Sequence, residues 1–168
     1  MANLDLLENS IPVAPLKLAA LPGSMEMAKK VDSYLVQFRK ELAERRNGVS
    51  FSGYSEDSFL IDCECPRFGS GEAKGKINES VRGADLYILV DVCNYSITYK
   101  VCGYENHMSP DDHYQDIKRI ISAANGKARR INVVMPFLYE SRQHKRSQRE
   151  SLDCAFALQE LIDMGVSN

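Results

Sequence analysis

Apolar residues recur along this chain in two rhythms that alternate. Met27, Val31, Leu35, Phe38 and Leu42 are spaced four, four, three and four apart and draw one face of a helix. Ser24 is its expected N-cap, Glu26 lies in the positive first turn, Arg45 and Arg46 suit the negative end, and Asn47-Gly48 supplies the stop. Before it, Leu16-Lys-Leu-Ala-Ala20 reads as a short strand closed by Pro22-Gly23. After it, Phe59 to Cys65 and Ala73 to Asn78 read as strands on either side of the glycine-bearing turn Pro66-Arg-Phe-Gly-Ser-Gly71. Leu86 to Val92 is apolar almost throughout, as a strand covered on both faces must be.

Residues 93–108 carry tyrosines and cysteines without a clean period, which predicts a loop or an inserted hairpin. Ser109-Pro110-Asp-Asp112 opens the next helix with a cap, a first-turn proline and two acids. Ile117, Ile120, Ile121 and Ala124 form its buried face, and Gly126 ends it. His113 on its first turn is expected to be exposed. Ile131 to Met135 is a further strand, stopped by Pro136. Leu152 to Met164 is the last helix, with Leu152, Ala155, Phe156, Gln159 and Ile162 expected on its buried side and Gly165 after it. Strands alternating with helices predict an α/β fold with a mostly parallel sheet. Residues 1–13 read as an N-terminal arm and residues 14–168 as one α/β domain. Met164-Gly-Val-Ser-Asn168 leads away from a helix as a chain entering another strand does, so the expectation is one half of a longer, two-domain protein.

Composition narrows the function classes. With 21 Lys+Arg against 23 Asp+Glu, the 168-residue chain is slightly acidic, which argues against a nucleic-acid-coating role. No apolar run approaches the roughly 18 residues of a membrane span, and the acidic start is unlike a signal peptide. A cytoplasmic protein is expected. Five cysteines fit free thiols better than a disulfide framework. Cys63-x-Cys65 lacks zinc-knuckle spacing. Cys102, His107 and His113 are close enough in sequence to be weighed as metal ligands, but the preferred reading is no metal site.

The candidate chemistry is concentrated after Pro136, where Arg142, His144, Lys145, Arg146 and Arg149 cluster in an otherwise acidic chain. Open α/β sheets keep ligand sites at the carboxyl ends of their strands, and cations there point to a phosphorylated ligand. Solvation of the approach to the last helix is the alternative. Asp85 and Asp91 flank a buried strand, and such acids more often cap or pair than bind metal. Phe68, taken alone, reads as a core aromatic anchoring its turn.

Two stretches carry a family resemblance. Arg67-Phe-Gly-Ser-Gly-Glu72 with Ile77-Asn-Glu-Ser-Val-Arg-Gly-Ala-Asp-Leu-Tyr-Ile88, and Val134-Met-Pro-Phe-Leu-Tyr-Glu-Ser-Arg-Gln143, resemble the N-terminal half of ribose-phosphate pyrophosphokinases (phosphoribosyl diphosphate synthetases). The resemblance implies a three-layer, phosphoribosyltransferase-like α/β domain and transfer of diphosphate from ATP to ribose 5-phosphate with Mg2+. It implies a homo-oligomer, a hexamer in the family. By resemblance, Phe68 and Glu72 lie in a loop that contacts adenine in a neighbouring subunit's site, and Arg142 and Gln143 contact ATP from their own subunit. Ser80 and Arg82 fall in a stretch that forms an allosteric phosphate or nucleotide site. The family's histidine-bearing metal segment, its catalytic Lys/Arg loop and its double-aspartate loop would all fall past residue 168, so no catalytic or metal-binding residue is expected within this chain and the fragment alone is expected to be inactive. Gly69-Ser-Gly71, His144 and the insertion at 93–108 depart from the family pattern. A non-catalytic regulatory paralogue, or a plain phosphate- or nucleotide-binding α/β domain, are the alternatives.

Overall fold

Residues on alternate sides of the two central strands sort into two separate cores. Strand β1 (Leu16–Ala20) sends Leu18 and Ala20 to one face and Ala19 to the other. Strand β5 (Asp85–Leu89) sends Leu86 and Ile88 one way and Tyr87 and Leu89 the other. The computed structural model that shows this describes residues 12–45 and 53–168. The arm expected at 1–13 lies almost wholly outside the described residues, as does the helix stop at Asn47-Gly48.

The main sheet has four strands, all parallel, in the order β2 (Leu60–Ile61), β1, β5, β8 (Arg130–Val134). Helix α1 (Met25–Arg45) packs on the face carrying Leu18, Ala20, Phe59 and Leu89. Helices α2 (Pro110–Ala124) and α3 (Asp153–Asp163) pack on the other, over Ala19, Leu86, Ile88 and Ile131. Three layers result, as expected. Two antiparallel ribbons complete the fold: β3 (Cys63–Glu64) with β4 (Lys76–Ile77), and β6 (Thr98–Val101) with β7 (Tyr104–His107). The second is the hairpin expected as one option for 93–108. After α3 the backbone re-enters the sheet beside β8. Val166 bridges Ile131 in parallel, Ser167 N–H donates to Ile131 O at 2.7 Å, and Val133 N–H donates to Asn168 O at 2.9 Å. No helix among the described residues is long and apolar enough to cross a membrane.

Helix α2 starts where its signals say. Ser109 Oγ accepts from Asp112 N–H and Asp112 Oδ2 accepts from Ser109 N–H, a reciprocal capping box. Three details differ from expectation. His113 is buried (1% exposed), its Nε2 2.8 Å from Asn94 O, because the face of α2 that packs inward begins at His113 and takes in Asp116 as well as the isoleucines. Helix α3 buries Cys154, Ala157 and Leu161, while Phe156 and Ile162 are 61% and 59% exposed. Apolar residues occupy more than one side of this short helix, and Tyr114, which donates to Ala157 O, selects the other side. In α1, Val31 keeps to the sheet side but lines an open groove at 36% exposure, and Asp32 is buried, accepting from Phe59 N–H at 2.6 Å and Ser58 Oγ at 2.8 Å. A buried carboxylate is tolerated there because both oxygens are hydrogen-bonded. Ser24 precedes α1 as expected, but its buried hydroxyl makes no hydrogen bond among the described residues.

Candidate functional site

Strand β8 cannot continue past Met135, because Pro136 has no N–H to give to the ladder. The chain then folds through two turns, Ser141 N–H to Leu138 O and Gln143 N–H to Glu140 O, with Glu140 at φ 55°. Gln143 closes the loop: its Nε2 donates to Ser151 O at 2.7 Å, and its own carbonyl accepts from Cys154 N–H as α3 begins. Arg142 is thereby held outward over the carboxyl ends of the strands. It lines a cavity of ≈ 230 Å³ with Val92, Cys93, Pro110, Phe137 and Tyr139. Lys145, Arg146 and Arg149 follow, all exposed, and none of these four cations forms an ion pair among the described residues. The loop therefore presents a surplus of positive charge, with Glu140 the acid on the same cavity, where an open α/β sheet keeps its ligands. His144 is exposed beside them, with Nδ1 3.0 Å from Ser141 O.

Phe68 belongs to the turn of the β3–β4 ribbon, which leaves β2 in the strand direction and so lies toward the same end of the sheet as Arg142. Phe68 N–H donates to Glu72 O at 2.7 Å and Gly71 N–H to Phe68 O at 2.9 Å, with Gly71 at φ 91°, where a side chain would be strained. Phe68 is 52% exposed, which removes the core-anchor reading of its ring. Glu72 is exposed and accepts from Ser70 Oγ. Neither residue lines the cavity at Arg142. Gln143 is in the same loop as Arg142, and its amide nitrogen helps to hold that loop.

Ser80 and Arg82 sit elsewhere. They are exposed in the segment between β4 and β5, where Arg82 N–H lies 3.4 Å from Ser80 Oγ, at the amino-terminal end of the parallel strands. The two groups of candidate residues thus occupy opposite ends of one sheet. Asp85 pairs with Arg130 through both carboxylate oxygens, and Asp91 accepts from Cys93 N–H. Both acids are engaged as capping or pairing groups. All five cysteines are free thiols.

Sequence reasoning passed over one cluster next to the Phe68 turn. Arg67 Nη2 donates to Asp116 Oδ2 at 2.8 Å, Arg119 Nη1 donates to Asp116 Oδ1 at 2.6 Å, and the Arg67 guanidinium stacks 4.9 Å over the Tyr99 ring. Burial pushes the Asp116 carboxyl up, while Arg119 and Arg67 pull it back. The available signal was Asp116 itself, an acid on the apolar face of α2, in register with His113 and Ile120.

An open three-layer α/β protein with its cationic loop at the strand carboxyl ends is the class that these features define. Residues 16–165 match the family model described as the N-terminal domain of ribose phosphate pyrophosphokinase, and the chain belongs to that family. It is 26% identical over 110 residues to a ribose-phosphate pyrophosphokinase of Oceanobacillus iheyensis, covering 65% of this chain and 30% of that protein. It is 31% identical over 90 residues to ribose-phosphate pyrophosphokinase B of Dictyostelium discoideum, covering 52% and 23%. The crystal structure of phosphoribosylpyrophosphate synthetase from Mycobacterium smegmatis superposes with a TM-score of 0.59 at 20% identity, over 90% of this chain and 40% of that one, which shows the shared fold. The matched region spans less than a third of the length of these curated relatives.

Proposed function

We propose that this chain is the N-terminal part of a protein that transfers the diphosphate group of ATP to ribose 5-phosphate, and that its own contribution is to bind ATP. The observation that carries this is Arg142, a guanidinium without an ion pair among the described residues, lining a cavity at the strand carboxyl ends in a chain whose family is that of ribose phosphate pyrophosphokinases. A guanidinium suits this role because it stays charged and offers a planar fork to phosphate oxygens. Lys145, Arg146 and Arg149 raise the local positive potential that draws in a polyanion. Phosphoryl transfer spreads charge over the phosphate oxygens, and a fixed cation there stabilises the transition state electrostatically, with no proton to move.

Phe68 offers a flat apolar face for a purine, with Glu72 beside it. Its exposure, and its absence from the cavity at Arg142, support a turn that serves the ATP site of a neighbouring copy in a homo-oligomer. Ser80 and Arg82, at the far end of the sheet, would then take an effector phosphate separately from the substrate. Magnesium is expected to accompany ATP. Hard cations need several oxygen ligands, and no cluster of three or more His, Cys, Asp or Glu occurs among the described residues, so those residues do not by themselves supply such a set.

The test is synthesis of phosphoribosyl diphosphate by the full-length protein supplied with ATP, ribose 5-phosphate and Mg2+. Arg142→Ala is expected to lower kcat/KM for ATP by about 10²–10³-fold, the scale of removing one fixed charge-stabilising donor. A full-length protein that makes no product would reject the enzymatic reading and leave a non-catalytic partner subunit, which tight binding to an active homologue would identify.

A further inference from the structure

Thr98–His107 forms a hairpin whose tip is a two-residue turn, Cys102-Gly103, with both residues at positive φ (50° and 88°). Such a turn matches the twist of the flanking strands. Its base is already closed, since Met108 N–H donates to Ile97 O at 2.8 Å. The hairpin packs mainly by one face of β6, while His107 of β7 stacks on the Tyr95 ring at 4.3 Å. Tyr99 and Val101 are half-buried, Thr98 and Lys100 are exposed, and every residue of β7 is exposed.

What Tyr99 and Val101 face is the Phe68 turn. Cys102 N–H donates to Gly69 O at 2.8 Å. A Cβ on Gly71 would stand 3.0 Å from Val101 Cγ2 and 3.6 Å from Tyr99 Cε2. The Tyr99 ring lies under the Arg67 guanidinium, and its hydroxyl is 3.3 Å from Asp112 Oδ1, the carboxylate that caps α2. These contacts take Arg67, Gly69 and Gly71 and leave the Phe68 ring out. A turn containing two glycines has much backbone freedom to lose, even with Phe68 N–H bonded to Glu72 O, Gly71 N–H to Phe68 O and Lys74 N–H to Pro66 O. A buttress that removes this freedom beforehand lowers the cost of any ligand that needs the turn in place.

We propose that the β6–β7 hairpin is a positioning element for the Phe68 turn, acting through Tyr99 and Val101 to hold Phe68 ready for the adenine ring of ATP. The proposal rests on the reading of Phe68 as an adenine contact. Tyr99 is a positioning residue: it reaches the nucleotide only through the turn.

The experiment compares four variants of the full-length protein: Tyr99→Ala, Tyr99→Phe, Phe68→Ala, and one with Thr98–His107 replaced by Gly-Gly. The last keeps the Ile97–Met108 hydrogen bond as an ordinary β-turn, so it decides the matter if Tyr99→Ala does not fold. Amide exchange at Phe68 and Gly71 is read without nucleotide, and KM for ATP is read separately from kcat and from KM for ribose 5-phosphate. Expected in Tyr99→Ala and the truncation are exchange about tenfold faster and a KM for ATP raised about five- to tenfold, with the other two constants nearly unchanged. Tyr99→Phe keeps the ring under Arg67 and is expected to restore both readouts. Unchanged exchange in the truncated protein would overturn the proposal. So would faster exchange with an unaltered KM for ATP while Phe68→Ala raises that KM, since Phe68 would then work without the hairpin. If Phe68→Ala leaves the KM for ATP unchanged, the adenine reading itself falls, and the hairpin's role in nucleotide binding falls with it.

Discussion

Arg67 and Asp116 meet at 2.8 Å with side chains only 10% and 2% exposed, and their ion pair is the main electrostatic tie between the Phe68 turn and helix α2. Asp116 also accepts from Arg119 at 2.6 Å, so one carboxylate serves two guanidiniums. Asp116→Ala would leave Arg67 buried without its anion, a change expected to cost about 3–5 kcal/mol. By contrast, Lys118–Glu160 has a Glu160 side chain that is 47% exposed, and Lys118→Met, which breaks the pair, is expected to cost about 0–1 kcal/mol. Urea denaturation of the two variants measures this contrast. Equal losses would mean that Arg67 finds another partner in the folded protein.

Asp85 makes stability depend on acidity. Its hydrogen bonds to Arg130 hold its carboxyl below the 3.8 of a free aspartate. A group whose pKa is depressed on folding stabilises the fold above its unfolded pKa, and that contribution is lost as pH falls through the folded value. The melting temperature is therefore expected to drop as pH is lowered below 3.8. Asp85→Asn is expected to make that acid limb shallower, and thermal melts across the acid range follow both. A wild-type melting temperature that stays flat on acidification would contradict the assignment.

The five thiols divide into two kinetic classes. Burial, with Asp62 nearby, raises Cys63 to about 11, and burial beside Asp116 raises Cys65 to about 12. Cys154 is buried, whereas Cys93 and Cys102 are exposed. Only a thiolate attacks an alkylating reagent, so Cys93 and Cys102 are expected to react first at about pH 8 and the other three only on unfolding. Peptide mapping after brief maleimide treatment reads this out. Early labelling of Cys65 would show that the turn and α2 separate readily.

Several elements were legible because local chemistry and burial agree. Ser109, Pro110 and Asp112 carry the start of α2 in their own side chains, and the alternate residues of β5 and β8 are apolar on the scale of a buried strand. The loop holding Arg142 was legible from a proline that ends a strand, followed by a charge excess. The strands of the β3–β4 ribbon were harder to delimit, since its ladder is Cys63–Ile77 and Glu64–Lys76 followed, after a gap, by the isolated bridge Arg67–Ala73. Phe156 misled because α3 carries apolar residues on two sides, and the choice between them belongs to Tyr114 and its hydrogen bond to Ala157, far away in the chain. His113 and Asp32 look like surface residues until their partners, Asn94 O and Phe59 N–H, are known. The docking of Tyr99 under Arg67 leaves no periodic trace at all, because it joins a turn to a hairpin through one pair of side chains.

Gly75 lies against helix α2 so closely that a Cβ there would intrude on the carbonyl of Arg119. The height of the ribbon above the helix is thus set by an atom that is missing. Phe68 and Ser80 stand near the two ends of that same ribbon, toward opposite ends of the parallel strands. A methyl group at 75 acts as a wedge under the middle of a plank, and neither end can keep its place while the middle is lifted. Gly75→Ala is accordingly expected to speed amide exchange at Gly71 and Arg82 together. Movement at one end alone would show that the plank bends.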